Sequence, residues 1–208
     1  MPQTEEQLVA AARKGDQSAL GELLMNYQNR LYNVSLRMVN NRDDAAEITQ
    51  DAMLKVVEHI GNFDGKSKLS TWMIRITMNQ SISFLRKRKL RKTASLDVTY
   101  SSSSAYGGST SGDSGARLGD AIQDQQEPSP DQRVQTDEMV QQLQLAMDRI
   151  DEDFKSVLVL RDINAMDYKQ ISEVLSVPVG TVKSRLFRAR LALRQEIAKV
   201  YPEAIPES

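Results

Sequence analysis

Leu20, Leu23, Leu24, Tyr27, Leu31, Val34 and Met38 fall on one stripe over five turns, the spacing of an α-helix that buries a single face. Asn40-Asn41-Arg42 breaks the stripe, and Asp43 or Asp44 is placed to cap a second helix. That helix reaches to about Ile60, with Ile48, Ala52, Val56 and Ile60 on its apolar side. Glu47, Gln50, Asp51, Lys55 and Glu58 stand opposite. Gly61 to Gly65 reads as a loop. A third helix starts near Ser70 and runs to about Lys89, with Trp72, Met73 and Ile76 turned inward. No stretch alternates apolar and polar residues as a strand would, so an all-α fold is expected.

The pattern stops between Thr93 and Asp137. Residues 101–115 are a Ser/Gly tract too poor in apolar side chains to order itself, and Glu127-Pro-Ser-Pro-Asp131 extends the chain beyond it. Helical spacing resumes at Met139, Val140, Leu143, Met147 and Ile150, and Asp151 to Asp153 can start the next helix. The expected organisation is therefore two small helical domains, 1–93 and 136–208, joined by a flexible acidic linker, 94–135.

Near the C-terminus lies a more specific pattern. Asp167 and Gln170 have the spacing of a capping box, and Ile171, Val174 and Leu175 give a short helix one apolar face. The pattern breaks at Ser176-Val177-Pro178, and proline suits the first turn of a helix. A second helix then buries Val182, Leu186, Ala189, Leu193 and Ile197. Lys183, Ser184, Arg185, Phe187, Arg188, Arg190 and Arg194 remain outside. This is a helix-turn-helix whose second helix has the charge to enter a DNA major groove. From Lys183 to Lys199 there are six basic residues against one acid, Glu196.

Charge marks a second site. Lys66 to Lys92 holds nine Lys or Arg residues and no acid, although the whole chain has net charge −1. Within it Thr71, Arg75, Asn79, Ser83 and Arg86 recur at helical steps on one face. Cations can hold a phosphate backbone there while amides read exposed bases; Asn79 could equally bond a neighbouring helix. With no cysteine and one histidine, His59, thiolate zinc sites, cysteine nucleophiles and a histidine metal cluster are excluded. No metal, cofactor or catalytic residue is expected. No segment has the apolar length of a membrane span or the layout of a signal peptide, so a cytoplasmic protein is expected.

Four stretches together resemble the extracytoplasmic-function group of bacterial sigma factors: Asp43 to Met53, Phe63 to Trp72 with Arg75 and Asn79, Val157 to Asp162, and Pro178 to Arg185. The resemblance covers nearly everything except the Ser/Gly tract. It implies a sigma-2-like bundle and a sigma-4-like helix-turn-helix domain, in a non-enzymatic subunit that directs RNA polymerase to promoters. Carried over, Glu47, Gln50 and Asp51 would dock on the clamp coiled coil of the polymerase core. Lys66, Lys68, Trp72, Arg75, Asn79 and Arg86 would take the minus-ten element and its melted strand. Lys183, Ser184, Phe187 and Arg188 would read the minus-thirty-five element of promoter DNA, with Thr181 and Arg185 on phosphates. An anti-sigma factor is the further implied partner. Near Leu69 the family commonly has an aromatic or small residue, and Lys66 and Lys68 make this loop unusually basic. The rival reading, an autonomous helix-turn-helix regulator, would need a dimer interface or an effector pocket, and no sequence feature supplies either.

Overall fold

The computed structural model describes residues 4–99 and 142–200, and among them the regular structure is all helical. The chain opens with α1 (Glu5–Arg13), a helix the pattern alone did not separate. The Thr4 hydroxyl accepts from the Gln7 N–H, and the Gln7 carboxamide accepts from the Thr4 N–H at 3.0 Å. Gly15, at φ +93°, turns the chain in a conformation that side chains resist. Asp16 then caps α2 (Gln17–Val39), its Oδ1 accepting from the Ser18 and Ala19 N–H groups at 2.9 and 3.1 Å.

Asn40 ends α2 in the left-handed region at φ 52°, its N–H donating to the Leu36 carbonyl at 2.8 Å. The cap of α3 (Arg42–His59) is Asn41, not Asp43 or Asp44 as expected. A cap must be extended and lie just outside the helix. Asn41 has φ −145° and accepts from the Asp44 N–H at 2.9 Å. Asp43 and Asp44 instead occupy the first turn, where their charge meets the positive end of the helix dipole. After a 3-10 turn, Ile60–Asn62, and a loop comes α4 (Leu69–Thr99). It outruns the expected end near Lys89, since neither proline nor glycine intervenes.

Leu23, Leu31 and Met38 of α2, Val56 of α3, and Met73, Ile74 and Met78 of α4 form the core of this N-terminal unit. Three hydroxyls fit inside it by finding backbone acceptors: Thr49 donates to the Ala45 carbonyl at 2.6 Å, Thr77 to Met73 at 3.0 Å and Ser81 to Thr77 at 2.9 Å.

The C-terminal unit has α5 (residues 142–149), α6 (Glu152–Leu158, capped by Asp151), α7 (Tyr168–Leu175) and α8 (Val179–Val200). A π-helical turn, Val159–Ile163, joins α6 to the next loop, where Ala165 is left-handed at φ 52°. Val157, Leu160, Ile171, Val174, Val182 and Ala189 are fully buried between these helices. The units also touch each other: α4 packs against α6 and α7, and α2 meets α6 and the π-helical turn. At that boundary Lys155 is only 3% exposed and pairs with Asp148 at 2.5 Å. Asp148 in turn accepts from the Asn40 amide at 2.7 Å.

Candidate nucleic-acid interface

The helix-turn-helix is built as its sequence predicts. Asp167 and Gln170 form the reciprocal capping box, with bonds of 2.8 and 2.9 Å. Ser176, at φ 55°, closes α7 in the left-handed region, and the Ser172 hydroxyl donates to the Val177 carbonyl at 2.6 Å, fixing the turn. Val182, Leu186 and Ala189 then seat α8 on the core. This packing leaves Lys183, Ser184, Phe187 and Arg188 outward on one surface. Phe187 is 73% exposed, a large apolar side chain with no core role. Such a ring among cations suits contact with a thymine methyl group. Thr181 and Arg185 lie half-buried at the edge of this face. Arg190, also outside, is held by Asp162 at 2.6 Å, a hydrogen bond that raises the guanidinium's already high pKa. Tyr168 lies beneath two cations, 4.9 Å from Arg161 and 5.7 Å from Lys183.

On α4 the expected stripe is corrected at one end. Thr71 is buried, whereas Arg75, Asn79, Ser83 and Arg86 are exposed. The inward face is carried by Met73, Ile74, Thr77, Met78 and Ser81, with Trp72 and Ile76 only half-buried. Trp72 leans on buried Phe63 with ring centroids 5.3 Å apart, so the indole braces the loop that precedes the helix. In that loop Lys66 and Lys68 are exposed. Lys66 pairs with Asp64 at 2.8 Å; the same hydrogen bond holds Asp64 below the usual carboxylate range and Lys66 above its own. Asn62, Asp64, Lys66, Ser67, Trp72 and Arg75 line a shared hollow.

A third surface lies on α3, where Glu47, Gln50 and Asp51 are all exposed. The pattern reading missed two neighbours. Leu54 and Val57 are 55% and 43% exposed, beside a shallow groove that Tyr32, Gln50 and Met53 also line. Leu54 falls three residues after Asp51 and four after Gln50, so helical spacing alone places it among them. An apolar side chain at the centre of a polar face suits a protein partner.

Burial pushes the Lys155 ammonium down, and Asp148 opposes the shift. Among the described residues no group of three or more His, Asp or Glu could hold a metal ion, and no helix is long and apolar enough to cross a membrane.

The comparisons with known proteins follow the same division. Residues 23–91 match the model of sigma-70 region 2, and residues 140–193 match that of sigma-70 region 4. The RNA polymerase sigma-H factor of Pseudomonas aeruginosa is 30% identical over 96% of this chain and 97% of its own length. The ECF RNA polymerase sigma factor SigW of Bacillus subtilis is 29% identical over 91% of the chain and 94% of its own. Among solved structures, sigma factor RpoE in complex with the anti-sigma factor NepR, from Bartonella quintana, superposes with a TM-score of 0.58 at 23% identity. That likeness covers 86% of this chain and 96% of the other, and it concerns the fold alone.

Proposed function

This chain belongs to the extracytoplasmic-function sigma factors of RNA polymerase, and on that premise we propose how its surfaces divide the work. The face of α3 carrying Glu47, Gln50 and Asp51, with Leu54 at its centre, docks on the clamp coiled coil of the core enzyme. The basic loop and α4 receive the melted non-template strand at the minus-ten element through Lys66, Lys68, Arg75, Asn79 and Arg86, with Trp72 bracing the loop against Phe63. The outer face of α8 reads the minus-thirty-five element through Lys183, Ser184, Phe187 and Arg188, while Thr181 and Arg185 hold phosphates.

The observation that carries this reading is the outward cationic and aromatic face of α8 behind a formed helix-turn-helix. Physical reasoning supports the rest. Opening duplex DNA loses stacking of about 1.4 kcal/mol per step, so the unpaired bases need a receiving surface. Two modest DNA contacts, one from each unit, act together once both sit on the polymerase, by effective concentration through the chain that joins them. The polymerase supplies the chemistry, in the cytoplasm with the chromosome. An anti-sigma factor, the kind of partner seated on the Bartonella quintana relative, is the expected antagonist.

Transcription by purified core polymerase on a genomic promoter library, with and without this protein, tests the reading. Promoter-specific transcripts are expected only when it is present. Asp51→Lys is expected to abolish core binding while circular dichroism stays unchanged. Retained binding would move the docking face elsewhere.

A further inference from the structure

We infer that Tyr168 is a positioning residue for minus-thirty-five recognition, its ring holding the Lys183 ammonium where α8 enters the groove. The inference deepens the function proposed above and rests on it. Lys183 stands near the start of α8, the end of a recognition helix whose side chains reach base edges. Lysine carries a compact charge on a flexible four-carbon stem, so an unsupported one must be ordered at the moment of binding. Holding it in place beforehand removes that cost. Lys183 is exposed, and its Nζ lies 5.7 Å from the centroid of the Tyr168 ring. Cation–π attraction reaches about 6 Å.

The ring is itself fixed from both sides along the chain. Arg161 lies over it with Cζ 4.9 Å from the centroid, and Arg161 Nη1 donates to the Met166 carbonyl at 2.7 Å. The Asn164 amide donates to the Val159 carbonyl at 2.9 Å and the Met166 N–H to the Leu160 carbonyl at 3.0 Å. These bonds close the turn that delivers the chain to α7. On the far side, the capping box of Asp167 and Gln170 sets the backbone of Tyr168, and the half-buried ring packs against the core.

π-helical turns inside helical segments are common at functional sites, and the one here carries both Arg161 and Asp162. Asp162 grips Arg190 of α8 with bonds of 2.6 and 3.3 Å. Arg190 is thus tied to this turn by a carboxylate, and Lys183 by a ring that Arg161 also covers. The difference matters. A carboxylate would neutralise Lys183 and compete with DNA for its protons. A ring attracts it through the π-face and leaves the charge uncancelled for the groove.

Fluorescence anisotropy of the full chain bound to core polymerase tests this, on a labelled duplex carrying a minus-thirty-five element recovered from the promoter library. Tyr168→Leu is expected to weaken binding about fivefold and to leave binding to a duplex of unrelated sequence unchanged. Tyr168→Phe keeps the ring and should bind as the unaltered protein does. A loss from phenylalanine as large as that from leucine would mean that the hydroxyl touches DNA directly, and would overturn the inference. Lys183→Ala is expected to cost about tenfold, and Tyr168→Leu added to it should cost nothing more. A further fivefold loss in that background also overturns the inference, since Tyr168 would then act without Lys183. Another measurement needs no variant. In proton magnetic resonance of the unaltered chain, the ring current of Tyr168 should place the Lys183 ε-methylene upfield of other lysines. Ordinary positions for those protons would sink the ring contact. If the unaltered complex shows no preference for the element, the sigma reading itself fails and the inference with it.

Discussion

Along α8 the outer residues Lys183, Ser184, Phe187 and Arg188 stand in solvent, whereas along α4 Arg75, Asn79 and Arg86 border α6 and α7 of the other unit. The two helices have the same design: a buried apolar stripe, a basic outer surface and a turn fixed in front. They differ in what lies opposite. Helical spacing settles which residues share a face, because it depends on the chain's own geometry. What that face meets depends on packing between segments far apart in sequence, and composition carries no trace of it.

The sharpest way to break this comparison is to truncate both faces in the free protein. Arg188→Ala or Lys183→Ala should weaken binding to upstream-element duplex by about 1–3 kcal/mol if the side chains read bases. Asn79→Ala should leave that binding unchanged and lower only promoter opening by the polymerase complex. Equal losses from both helices in a duplex-binding titration would mean that they are equally available.

A second expected effect concerns the contact between units. Asp148→Ala leaves the Lys155 ammonium buried without its carboxylate. The cost should be about 2 kcal/mol in a denaturant titration, less than for a fully buried pair because Asp148 is 33% exposed. Lys155→Met in the same background should recover most of it, since an apolar side chain needs no partner there. A loss that Lys155→Met does not repair would assign Asp148 a role other than neutralising Lys155.

The N-terminal unit has its own pH signature. Tyr27 donates to Glu5 at 2.6 Å, and burial, then that hydrogen bond, push its phenol up from 10.0 to about 12. A raised folded pKa means that the fold holds the neutral form. The contribution is whole below pH 10.0 and is lost as pH climbs toward about 12. Tyrosinate absorbance should show a late-titrating component, and Tyr27→Phe should remove it. The smallest expected effect is local to the C-terminal unit. Ala165→Gly relieves a left-handed alanine and should raise stability there by about 0.5 kcal/mol, the strain released exceeding the backbone entropy of glycine. An unchanged midpoint in urea would place Ala165 in an unstrained turn.

Much of this architecture was legible in the sequence, and the misses have physical causes. Asp167 and Gln170 announced their capping box because both partners lie within four residues. Asn41, Asp43 and Asp44 are all of residue types that cap helices, and only backbone conformation separates a cap from a first turn. Thr71 looked like a surface residue at the head of a polar stripe, yet it is buried at the first turn of α4. Leu54 was hidden for the opposite reason: an apolar residue on a polar face is noticed only once the core is known to lie elsewhere. Glu173, Glu152 and Asp153 carry no sequence mark as neighbours of α4, because nothing local connects them to residues more than sixty positions earlier.

Asn40 carries two obligations at once. Its backbone supplies the left-handed bend that stops α2, and its amide reaches across to Asp148. Glycine at this position would keep the bend and release the amide's hold, while an ordinary side chain would spoil both together. A single codon therefore couples where one helix finishes to how firmly the two halves of the molecule keep company.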